Sequence, residues 1–182
     1  MAVSGKRLEF DYGHSAFVQR GLLLLALWIL STVVLASLSQ VPFGGVVLVS
    51  GLVAAYAVVF GLSPLMTRHW LTQSRLILRQ GWYFRAILPL RELRSIGPYE
   101  GAAKIGLRGD MSRRMLFVTG STVGLVAAEL EPPRRFWQVL FAPADRVVFD
   151  VHSRNRFLEA VAARRASFAP VDADRPDADL RD

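Results

Sequence analysis

The sequence predicts a transmembrane hairpin of two helices followed by a mainly β domain, a small barrel with a C-terminal helix. Three observations carry this reading. No Asp, Glu, Lys, Arg or His stands between Arg20 and Arg68. From Thr67 onward the apolar residues fall into strand-length runs broken by turn residues. Near the end, Phe157, Leu158 and Val161 take a helical spacing.

The uncharged block from Gly21 to Thr67 is 47 residues, dominated by Leu, Val, Ala, Ile and Phe. A hydrocarbon core of about 30 Å takes about 20 helical residues to cross. The block is too long for one crossing and suits two with a short turn. Residues 39–45 supply that turn, with Ser39 and Gln40, then Pro42 and the pair Gly44-Gly45. Membrane helices are therefore expected over Gly21–Leu38 and from Val46 to about Leu65, within a hairpin spanning 21–65. Backbone groups in lipid must bond inside their own segment, so helices suit runs this apolar. The rival is a buried hairpin in a soluble protein, which a block this long without a charge disfavours.

The formal net charge of +7 is unevenly spread. Residues 167–182 hold five Asp and two Arg and carry −3, leaving +10 for the remainder. That segment has too little apolar content to fold and is expected to be a disordered acidic tail. Lys6, Arg7 and Arg20 precede the first helix, and Arg68, Arg75, Arg79 and Arg85 follow the second with no acidic residue before Glu92. The connecting turn is uncharged. The positive-inside rule then places both termini in the cytoplasm and the turn outside.

Residues 1–20 form a polar, cytoplasmic lead. Its Phe10, Tyr12 and Phe17 are expected in the headgroup layer, where aromatic rings suit a half-wet setting. A cleaved signal peptide is disfavoured, because the apolar run is longer than the usual h-region and the lead is long. In the helices, Gly51 with Ala55, Ala57 with Gly61 and Thr32 with Ala36 offer small-residue packing faces, for the hairpin on itself before a dimer. With no ionisable residue inside the block, a proton relay or ion pathway is not expected.

Residues 66–166 read as a small cytoplasmic domain. Residues 68–72 and 75–79 are strand-like, and Gln80-Gly81 makes a turn for which a positive φ suits glycine. Trp82 to Leu90 is the next strand, and residues 91–96 form a short amphipathic piece. Met115–Thr119 and Leu125–Leu130 are strands around a loop at 120–124. Residues 136–141 and 147–151 flank a hairpin turn at 142–146. Ser153 is placed to cap the final helix.

Trp70-Leu71-Thr72, then Arg75 to Arg79, Gly81, Phe84, Pro89-Leu90, Leu93 and Ile96 follow the opening of the bacterial PH-like domain, a family that often follows a pair of membrane helices. Residues 147–151 and 155–161 are similar to that family's last strand and closing helix. Arg154-Asn155 stands where the family often has a proline. The resemblance covers about 67–166. It implies a binding or scaffold module with its partner unspecified.

Catalytic chemistry finds little footing. His14, His69 and His152 are far apart and not in metal-ligand spacing. His69, beside Arg68 at the membrane exit, is expected as an interfacial side chain. Residues 120–124 match neither a nucleophile elbow nor a phosphate loop. Glu129 and Glu131 share a strand face but read as a solvated strand end. Arg108-Gly109-Asp110 reads as a turn. The chain has no cysteine, which removes thiolate chemistry and disulfides. No cofactor, metal or catalytic residue is assigned. The arginines carry no nucleic-acid motif and are explained by the membrane.

The expectation is a two-pass protein of the bacterial inner membrane acting by binding. The alternative is an accessory subunit of a membrane enzyme or transporter whose catalytic part lies in another chain. The lipid bilayer and a membrane-protein partner are expected, with homo-oligomerisation open. Arg68, Arg134, Arg135 and Trp137 are the candidate membrane-surface residues, because arginines beside aromatics suit an anionic headgroup layer. For residues 134–141 a core strand is the competing role, with Trp137, Val139 and Phe141 facing inward.

Overall fold

The computed structural model describes residues 7–38, 40–139 and 142–167. Strand β1 (Leu8–Phe10) comes before the apolar hairpin and strand β2 (His69–Leu71) after it. The two pair antiparallel, with Leu8 opposite Leu71 and Phe10 opposite His69. Residues 8–10 of the N-terminal lead are thus a strand of the β domain, and residues 15–20 are the first turns of the next helix.

Helix α1 runs Ser15–Ser37. Helix α2 runs Phe43–Ala57 and continues through a π-helical turn, Val58–Leu62, and a 3-10 turn, Ser63–Met66, with Pro64 in its first positions. Both are long and apolar enough to cross a membrane. The helices start before Gly21 and Val46, because the first turn of α1 packs on the β domain and Pro42 leads directly into α2. Trp28 Nε1 donates to the Ser50 carbonyl (3.0 Å) and to Ser50 Oγ (2.9 Å), and Thr32 Oγ1 lies 3.0 Å from the same hydroxyl. Gly61 packs close to Gly21 and Thr32 meets Ser50, so residues of two of the expected small-residue faces lie between the helices, while Gly51 faces open space. Long apolar side chains point outward; Leu23 is 65% and Leu52 64% exposed.

Two sheets follow. The first is ordered β1-β2-β3-β4, with β3 at Arg75–Gln80 and β4 at Phe84–Pro89. The second holds β5 (Leu93–Pro98), β6 (Gly106–Asp110), β7 (Met115–Thr119), β8 (Leu125–Phe136) and β9 (Ala142–Asp150), in the order β5-β8-β9-β7-β6. All pairs are antiparallel except β7 with β9. Helix α3 (Arg154–Ala166) ends the described chain. Leu76, Leu78, Phe84 and Leu88 of the first sheet meet Leu116, Val118, Val126, Val147 and Phe149 of the second in one core. Phe157 of α3 sets its ring edge-on to Phe10 (5.0 Å) and Phe149 (5.5 Å).

Several sequence expectations need correction. The two sheets are not joined into a closed barrel among the described residues; they face each other around a shared core. The β8–β9 end crosses between outer strands, with Arg134 donating to the Ile87 carbonyl on β4 (2.7 Å) and Val139 lying over Gly109 on β6. The reversal comes after Phe136, in a 3-10 turn at Trp137–Val139, and residues 142–146 belong to β9. The bulge between Glu129 and Arg134, around Pro132-Pro133, lets β8 continue past its expected end. Residues 108–110 lie in β6, paired with β7, and residues 93–96 lie in β5. Ser153 precedes α3 without a side-chain cap; its carbonyl accepts from the Phe157 N–H (3.0 Å). Leu140 and Phe141 and the acidic segment from 168 onward lie outside the described residues.

Candidate functional site at the foot of the hairpin

The hairpin and the β domain meet through hydroxyls. Tyr12 follows β1 and donates to the Pro64 carbonyl, with Thr67 Oγ1 2.8 Å away. Thr67 Oγ1 accepts the Gly81 N–H (3.0 Å), and Ser63 Oγ accepts the Trp82 N–H (3.1 Å). The β3–β4 turn therefore hangs from the last turns of the hairpin. Gly81 holds φ +63°, as the sequence required, in space that a side chain cannot enter without striking Ser63 or Tyr83.

A buried carboxylate makes the second join. Asp150, fully buried at the end of β9, accepts the Gly13 N–H (2.7 Å) on one oxygen and the Gly120 N–H (2.8 Å) on the other. Burial pushes this carboxyl up to about 6, against the pull of its N–H donors. Gly120 has no room for a Cβ, which would strike the Gly13 carbonyl.

Phe10, Tyr12 and Phe17 are buried, 6%, 2% and 0% exposed, and so do not lie in a headgroup layer. Pairing of β1 with β2 draws them inward. His69 is likewise buried rather than interfacial, stacked on Tyr12 at 4.8 Å, with its Nδ1 accepting the Arg79 N–H (3.3 Å). Burial, reinforced by His14, pushes it down to about 3, so it is neutral at physiological pH. His14 Nε2 and His69 Nε2 have no partner among the described residues. A neutral imidazole shut away from solvent holds packing together and offers no accessible base.

Outside this join lies a half-open cleft of about 380 Å³ lined by Arg20, Phe60, Tyr83, Leu107 and Trp137. Phe60 continues an aromatic ladder from Tyr56 (4.6 Å) to Tyr83 (5.0 Å). Trp137 is 67% and Trp82 59% exposed. The cleft combines a cation, a phenol and an exposed indole where the apolar helices end. That composition suits the boundary between hydrocarbon and headgroups.

The four surface residues expected from sequence do not converge. Arg68 pairs with Asp11 (2.8 Å) and Glu9 (3.2 Å) beside β1. Arg134 is held by Glu92 (2.8 Å) and the Ile87 carbonyl, in a separate cleft with Arg75 and Arg91. Arg135 is exposed. Of the four, Trp137 alone lines the foot cleft, and it is exposed there rather than a core residue, because the chain leaves β8 before it. Sequence reasoning missed Arg20 and Tyr83 as its companions. The available signal was position: Arg20 is the last charge before the uncharged block, and Tyr83 follows the glycine turn.

Comparison with known proteins finds no matching family model, no similar curated protein and no similar solved structure.

Proposed function

We propose that this chain is a two-pass integral membrane protein that holds a PH-like β domain against the cytoplasmic face of a bacterial membrane. It acts as a binding or scaffold module without catalysis of its own. One observation carries the reading. The hairpin exposes its apolar side chains along its length, yet both of its ends are stitched into one sheet through the β1–β2 pair. A core helix of a soluble protein hides such a surface, whereas these spans hide almost none of it. A cleaved leader would take β1 and the buried Phe17 with it, which argues for retention of α1. Stitching the ends together supports a hairpin whose ends share one side of the membrane. The arginine-rich flanks favour the cytoplasm as that side. Arg20, Trp82 and Trp137 then sit at headgroup level and set the domain's tilt.

The test is membrane extraction. After expression in a bacterial host, the chain should stay in the membrane pellet through an alkaline carbonate wash and leave it only with detergent. Release by carbonate alone would sink the integral-membrane reading.

The accessory-subunit reading draws on a second feature. A groove of about 460 Å³ between α1 and α2 is lined almost wholly by apolar residues, among them Gly21, Ala54, Ala57 and Gly61. Small residues admit a further helix at close range. Stoichiometric co-purification of a membrane enzyme or transporter in mild detergent would favour this reading over a self-sufficient module.

A further inference from the structure

The far end of the first sheet carries a feature that membrane anchoring does not use. The β2–β3 turn and the end of β4 form a cleft of about 520 Å³ lined by Ser74, Arg75, Ile87, Pro89, Arg91 and Arg134. Three guanidinium groups from three separate elements face one space. Arg134 is shared with Glu92 and the Ile87 carbonyl. Arg75 and Arg91 are exposed, with no acidic partner among the described residues. The cleft stands away from the hairpin foot, since β3 and β4 run from this end to the Gly81 turn that hangs on Ser63 and Thr67. Bilayer lipid is therefore a poor candidate for its occupant.

The course of α3 supplies a better one. At its C-terminal end Arg165 donates to the Leu93 carbonyl (3.0 Å), two residues along the chain from Arg91. The described chain ends at Ser167, two residues past Arg165. The next 15 residues, 168–182, contain Asp172, Asp174, Asp177, Asp179 and Asp182 against Arg175 and Arg181, a net charge of −3. Asp172 is five residues beyond Ser167, a reach of up to about 18 Å. In an extended chain Asp172 and Asp174 share one face, as do Asp177 and Asp179. Carboxylates at that spacing suit guanidinium forks, which bind them bidentately.

We propose that the Arg75–Arg91–Arg134 cleft is a site for acidic peptide, and that its resident occupant is this chain's own segment 168–182. Tethering makes occupancy intramolecular. A short flexible link gives an effective concentration in the millimolar range, so weak contacts suffice. Any external acidic segment must displace the tail, which makes the tail a self-mask on the domain's outward end.

The absence of cysteine allows a direct test on the full chain in neutral detergent micelles. Gln73→Cys and Ala178→Cys each take a spin label, and the distance between them is read by pulsed electron resonance. At low salt the proposal expects a narrow distribution below about 30 Å, within reach of the extended tail. Arg75→Glu with Arg91→Glu should broaden it at least twofold, as should about 0.5 M salt through screening. Asp172→Asn with Asp174→Asn and Asp177→Asn should do the same, and these changes alter none of the described core contacts. A broad distribution in the parent, or a narrow one that survives the arginine reversals, would overturn the proposal. Equal affinity of the parent and a chain ending at Ser167 for a labelled 168–182 peptide would also overturn it. An acidic partner that binds equally well with and without the tail would have the same consequence.

Discussion

Gly81→Val tests the join between hairpin and domain. Gly81 holds φ +63°, and a Cβ there would lie 2.6 Å from Ser63 Oγ and 2.6 Å and 2.9 Å from two ring carbons of Tyr83. Left-handed backbone costs an ordinary residue about 1–2 kcal/mol, and a β-branched one suffers most. Moving Ser63 away also breaks its bond to the Trp82 N–H, worth about 1 kcal/mol. The expected total is about 2–4 kcal/mol. At about 4–8 °C per kcal/mol for a domain of this size, the melting temperature should fall by about 8 °C or more. Trp82, one residue away, reports the transition by fluorescence in micelles. Gly81→Asn should lose less, since Asn tolerates the left-handed region. Gly97→Ala, with open space around its Cα, should change little. A drop under about 2 °C for Gly81→Val, or equal losses at Gly81 and Gly97, would refute the reasoning.

Three further outcomes are expected. The raised carboxyl of Asp150 favours the folded state below its ordinary pKa of 3.8, and that stability is lost as pH rises through about 6. The difference is about 3 kcal/mol. The melting temperature should fall between pH 4 and 7, and Asp150→Asn should flatten that fall while losing one N–H acceptor; an unchanged slope would contradict the buried-carboxylate account. His69→Ala should cost about 3 kcal/mol through lost packing, whereas His152→Gln, at an exposed position, should alter neither stability nor any cellular function. In nanodiscs with lipids brominated near the headgroup, Trp137→Phe should remove a quenched part of the emission; an unchanged quenched fraction would place Trp137 away from the bilayer.

The hairpin was legible because an uncharged stretch this long has few other fates. The Gly81 turn was legible because glycine, with short aliphatic runs on both sides, writes a local signal. What the sequence concealed was long-range. Leu8 to Phe10 is three residues of strand, too short to display a period, and its partner lies about sixty residues away across the hairpin. Without that pairing, Phe10, Tyr12 and Phe17 look like interfacial aromatics instead of core. Arg108-Gly109-Asp110 reads as a turn until the pairing of β6 with β7 is known. Residues 131–136 were misread because two prolines usually end a strand, and here a bulge carries β8 past them. The candidate site suffered from the same blindness: Arg20 and Trp137 are far apart in sequence and share a cleft only through the fold.

The claim on which the account rests is that the two ends of the hairpin lie together on the cytoplasmic side with the turn outside. Single cysteines decide it, since the parent chain has none. Gly44→Cys marks the turn-side end of α2, and Thr122→Cys marks an exposed loop of the β domain. Spheroplasts treated with a membrane-impermeant maleimide should label Gly44→Cys readily, and Thr122→Cys only after lysis. Labelling of Thr122→Cys in intact spheroplasts, or of Gly44→Cys only on lysis, would contradict the account.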